Sequence, residues 1–131
     1  MPSPFSFATS ATANYPFNQE KTISQRVYCI AQFEPKPGKL EALFRILQAL
    51  EPDTLREDGC VQYRITRHIP SPFAEGESYP LVFNEIWANM EVFEEHCQKP
   101  YIKAFFEQQC VSPDGLVAKW NVCVYSDELA E

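Results

Sequence analysis

The chain has 131 residues, 45% hydrophobic and 14% aromatic, the composition of one globular domain with aromatic side chains to spare for a lined cavity. Eighteen acidic against eleven basic residues leave a net charge of −7, which repels phosphate backbones and anionic lipid surfaces, so neither nucleic acid nor membrane is an expected partner. Five cysteines without a CxxC pair fit neither a disulfide framework nor a zinc site and read as reduced thiols.

Residues 1–25 differ from everything after them, being rich in Pro, Ser, Thr and Ala with isolated aromatics at Phe5, Phe7, Tyr15 and Phe17. We read them as an N-terminal arm that packs in a groove, on this domain or on a partner subunit. With no basic start, no continuous apolar run near the N-terminus and no stretch of membrane-spanning length, the expected location is the cytoplasm.

Residues 26–126 carry the periodic elements. A first strand is expected over Arg26–Phe33, stopped by Pro35 and Pro37. A helix follows Gly38, with Leu40, Leu43, Phe44, Leu47 and Leu50 on one face, and Pro52 interrupts it. Asp58-Gly59 turns the chain into a second strand, Val61–His68, with Val61, Tyr63 and Ile65 on one side. Pro70–Pro80 is a loop, and a third strand over Leu81–Ala88 is apolar on both faces except at Asn84 and Glu85. Asn89 caps a helix over Met90–Gln98, and Pro100 opens a second helical segment reaching Cys110. A fourth strand spans Val117–Tyr125, and residues 127–131 form an acidic tail.

The order β-α-β-β-α-β is that of the split βαβ unit, so the expected class is α+β, ferredoxin-like, with an antiparallel sheet. One sheet face takes the helices. Val82, Ile86, Trp120 and Val122, or their alternates, make the other face too apolar for water, and a second copy packed sheet to sheet would cover it.

Chemistry concentrates between Glu85 and Phe106. Glu85 and Trp87 lie two apart on a strand and share a face with Phe83. Trp87 offers an aromatic wall for a flat ring, and a carboxylate beside it is desolvated toward acid–base use. His96, near the apolar side of its helix, is able to take a proton from a phenolic hydroxyl at neutral pH. Tyr101 follows Pro100, and Tyr28, Tyr63 and Arg64 are further groups that could orient a ring hydroxyl. Each has a plainer alternative: Trp87 as core, Glu85 paired with Arg64 or Arg67, His96 as a packed helix residue. No GxGxxG, GxxxxGK or GxSxG motif is present, and two histidines without suitably spaced partners make no recognisable metal site.

Three blocks, Lys36-Pro37-Gly38-Lys39, Glu57-Asp58-Gly59-Cys60 before Tyr63, and Glu85-x-Trp87 followed by His96, resemble the antibiotic biosynthesis monooxygenase family over Arg26–Tyr125. The resemblance implies a homodimeric α+β barrel and, in the quinol-oxidising branch, oxidation of a small quinol-like or polyphenolic aromatic by O₂ without a cofactor. In that branch a histidine after the Glu-x-Trp strand lies at the cavity, so we expect His96 as base with Glu85 as the second catalytic group, and Trp87, Tyr101, Tyr63 and Phe83 as substrate-binding. Relatives often carry histidine where Tyr101 stands, which weakens a two-histidine mechanism. The haem-degrading branch has asparagine where this chain has Ala31. Two other functions fit the same fold. One is isomerisation of a small phosphorylated ketone in quorum-signal breakdown, against which Trp87 argues; the other is a non-catalytic dimer binding a small aromatic ligand.

Overall fold

A computed structural model describes residues 25–129. The expected arm, with Phe5, Phe7, Tyr15 and Phe17, lies outside the described residues, as do the last two residues of the tail. The elements run β1 (Val27–Pro35), α1 (Leu40–Gln48), α2 (Glu51–Leu55), β2 (Cys60–Arg67), β3 (Leu81–Trp87), α3 (Met90–Cys97), α4 (Pro100–Phe105), a π-helical turn (Phe106–Val111) and β4 (Val117–Tyr125). The four strands form one antiparallel sheet in the order β2-β3-β1-β4, the ferredoxin-like arrangement.

Alternation decides what each strand buries. Val27, Cys29, Ala31 and Phe33 of β1 and Leu81, Phe83, Glu85 and Trp87 of β3 all face the helices and are buried. From α1, Leu43 and Leu47 close over them, both fully buried, each removing an apolar side chain worth roughly 1.5–3 kcal/mol from water. Leu40, expected on the same face, is the first residue of α1 and is exposed. Pro52 does divide the helix, and the chain resumes as α2 with that proline in its first turn.

In β2, Val61 departs from expectation. A bulge between Cys60 and Gln62 takes it out of the alternation and leaves it exposed, while Tyr63 and Ile65 remain buried. Strand β1 outlasts its expected end, because a register shift at Glu34/Pro35 lets Pro35 sit beside Val117. Asn89 caps α3 as expected, its side-chain oxygen accepting from Val92 N–H at 2.9 Å, a contact worth about 1 kcal/mol.

Of the two sets left open on β4, the alternates take the outer face; Trp120 and Val122 pair with Phe33 and Ala31 and so lie on the helix side, where Val122 lines the space between sheet and helices. The opposite face carries their alternates Asn121, Cys123 and Tyr125, with Ile30, Val82 and Ile86 half-buried among Gln32 and Asn84. It is more mixed than the sequence suggested, and Asn84 donates there to Thr66 at 3.0 Å.

The π-helical turn was not foreseen. Ser112 N–H donates to Glu107 O at 2.9 Å, five residues back. Gly115 makes the turn possible: a Cβ there would lie 2.2 Å from the backbone oxygen of Gln109. Gly115→Ala should therefore lower unfolding free energy by about 2 kcal/mol, read by urea titration. Undiminished stability would show that the turn yields without cost.

Candidate active site

A cavity of about 430 Å³ lies between the sheet and the helices, within the roughly 300–1,000 Å³ of small-molecule pockets. Its floor is Cys29, Ala31 and Phe33 from β1, Tyr63 from β2, and Phe83 and Glu85 from β3. Phe93, His96 and Cys97 of α3 wall one side. Ile102 and Phe105 of α4, with Phe106 and Glu107 of the π-helical turn, wall the other. Three consecutive residues, Phe105 to Glu107, reach the cavity where α4 gives way to the π turn. Phe33 meets Phe105 edge-on at 5.6 Å, and Tyr63 stacks on Phe83 at 4.3 Å, so the lining is largely aromatic.

Glu85 and His96 bring a carboxyl and an imidazole to this apolar space. Glu85 is 5% exposed, and its carboxylate accepts from Trp87 Nε1–H at 2.9 Å and from the Cys29 thiol. Burial pushes its pKa up to about 7, against the pull of those two hydrogen bonds. Neither Arg64 nor Arg67 pairs with it; Arg64 points at Glu51, 4.0 Å away. His96 is 4% exposed, and burial lowers its pKa from the usual imidazole value while its bond to Glu57 works the other way. A carboxyl drawn up and an imidazole drawn down give the cavity a proton donor in its floor and a proton acceptor on its α3 wall near neutral pH.

The remaining expected residues separate. Tyr63 and Phe83 line the cavity with Glu85 and His96. Trp87 is fully buried behind them and is absent from the cavity lining, its ring 4.6 Å from the imidazole of His96 and its N–H taken by Glu85. Tyr101 also lies off the cavity, at an outer pocket lined by Asp53, Arg56, Glu57, Asp58 and Lys99. Tyr28 belongs to the opposite face and donates to Asp127 at 3.0 Å.

Three residues that sequence reasoning left without a role stand at the site. Glu57 holds His96 Nδ1 at 3.0 Å and accepts from the Tyr101 hydroxyl. Thr54, fully buried, meets the Tyr101 hydroxyl at 3.1 Å and also hydrogen-bonds Tyr63. Cys29 supports Glu85. The available signal was the Glu57-Asp58-Gly59 turn before Tyr63. Gly59, at φ +85°, sits against Val92 of α3, and this close approach brings Glu57 to His96.

The fold and cavity define a ferredoxin-like α+β domain built around a small-molecule site. The sequence profile described as antibiotic biosynthesis monooxygenase matches residues 26–108, and the chain belongs to that family. Among solved structures, protein SO0527 from Shewanella oneidensis is 37% identical, with 78% of this chain and 90% of that one covered at a TM-score of 0.64. Rv0793 from Mycobacterium tuberculosis is 27% identical, with 81% and 97% covered at 0.61. An uncharacterised Synechocystis protein is 29% identical over 90 residues, or 69% of this chain; the chain spans only 55% of that relative's length. Among the described residues, no helix is long and apolar enough to cross a membrane.

Proposed function

We propose that this protein is a cofactor-independent monooxygenase of a small quinol-like or polyphenolic aromatic substrate, using O₂. The observation that carries the reading is His96 on the wall of an aromatic cavity, its Nδ1 held by Glu57 and its Nε2 left for a ligand. His96 Nε2 takes the proton of a ring hydroxyl. The phenolate then gives one electron to O₂, and the semiquinone and superoxide recombine as a ring peroxide. The peroxide takes the proton back from the imidazolium; its O–O bond then breaks as the ring carbon gives its C–H proton to His96 and becomes C=O, and the departing oxygen takes a proton and leaves as water. Glu85 is the group whose burial keeps that proton available near pH 7. Tyr63 and Phe83 bound the ring. Trp87 acts from behind by holding Glu85 and backing His96, and Tyr101 by holding Glu57. Oxygen uptake with a panel of quinols tests the reading, and no quinol-dependent uptake would overturn it.

The assembly belongs to the same proposal. A second copy, packed on the sheet face that bears Ile30, Val82 and Ile86, covers half-buried apolar side chains the helices cannot reach. Sedimentation should show a homodimer, and a stable monomer at micromolar concentration would contradict it.

A further inference from the structure

We propose that Glu57 is a positioning residue for the base: it locks His96 in the tautomer protonated at Nδ1, directs the Nε2 lone pair into the cavity, and offsets the charge the ring gains. This rests on the reading of His96 as base.

The geometry carries the assignment. Both carboxylate oxygens of Glu57 lie within hydrogen-bond range of His96 Nδ1, at 3.2 and 3.0 Å. A carboxylate only accepts, so Nδ1 carries the hydrogen and Nε2 is the basic nitrogen. The side chains are 5% and 8% exposed, so neither partner swings freely in water. Glu57 is in turn anchored by Tyr101, Tyr101 by Thr54, and Thr54 by Tyr63. With the Tyr101 proton given to Glu57, the Thr54 hydroxyl is the donor to Tyr101. Glu57 does not line the cavity and touches no ligand there; it acts through the imidazole.

The proton accounting is short. The substrate O–H breaks as Nε2–H forms, while Nδ1 keeps its own proton, hydrogen-bonded to Glu57. The other groups around His96 are Tyr63 from β2, Trp87 and Glu85 from β3, and Lys99 after α3, which opposes protonation. Among these, Glu57 is the one whose contact favours the imidazolium.

The test is nitrogen-15 NMR of the His96 ring in the full chain, which needs no substrate. Wild type should show the Nδ1–H tautomer. In Glu57→Gln, Tyr101 holds the amide oxygen, so the amide NH₂ turns to Nδ1. The ring should then switch to Nε2–H and titrate at lower pH. Glu57→Asp, which keeps a carboxylate, should retain the tautomer and decides the matter where the glutamine variant fails to fold. An unchanged tautomer and midpoint in the glutamine variant, or loss of the Nδ1 proton in the aspartate variant, overturns the proposal. With a quinol that is turned over, Glu57→Gln should lower kcat by about 10²-fold or more with little change in KM; a change in KM alone overturns it. Absence of any quinol oxidation fails the oxygenase reading but leaves the NMR result to decide the Glu57–His96 pair.

Discussion

His96→Ala should lower quinol-dependent oxygen uptake by about 10²-fold or more, the range expected for removing a general base. The reaction begins only when the ring hydroxyl loses its proton, because the neutral phenol is a poor one-electron donor to O₂. None of the other buried groups on the cavity wall replaces the imidazole. Tyr63 is an acid there, its pKa driven well above normal by burial, and Glu85 near neutral pH is already partly protonated. The thiols of Cys29 and Cys97 are likewise shifted up by burial, Cys97 to about 11. The substitution also removes a ring packed 4.6 Å from Trp87 and 5.4 Å from Tyr63, so circular dichroism of the aromatic bands must accompany the rate. With folding intact, an unchanged rate would remove His96 as base and pass that role to Glu85.

The elements that position the site were legible because their signals are local and periodic. Alternation in β3 placed Phe83, Glu85 and Trp87 on one face, and the Asn89 cap and Pro100 set the limits of α3 and the start of α4. What failed was depth. Strand period says that Trp87 faces the helices but not that Glu85 would take its N–H and that it would sit behind the imidazole. Tyr101 likewise meets a carboxylate instead of a ligand, at an outer pocket. Glu57 and Thr54 were invisible for a different reason: their partners lie 39 and 47 residues away, and only the approach of Gly59 to Val92 joins them. The bulge at Cys60/Gln62 and the π turn at Phe106–Val111 add or shift single residues, which a periodic reading absorbs without notice.

Glu85→Gln should flatten the pH dependence of stability and leave the variant more stable than wild type by roughly 3 kcal/mol at pH 8. The folded-state pKa of about 7 stands above the ordinary 4.5, so the folded protein binds this proton more tightly than the unfolded chain. The protonated carboxyl therefore contributes full stability below about 4.5, and that contribution is lost as pH rises through 7. Glutamine imitates the protonated carboxyl: its oxygen can still accept from Trp87 Nε1–H, and it has no charge to desolvate. His96 acts in the opposite sense, its lowered pKa costing stability as pH falls below the imidazole range, but it does so in both proteins and cancels in the comparison. Urea unfolding of both proteins at pH 5 and pH 8 reads the difference. Parallel curves would mean that Glu85 is ionised without penalty in the fold. It could not then supply the proton that peroxide breakdown requires, and the donor would have to be the imidazolium of His96 itself.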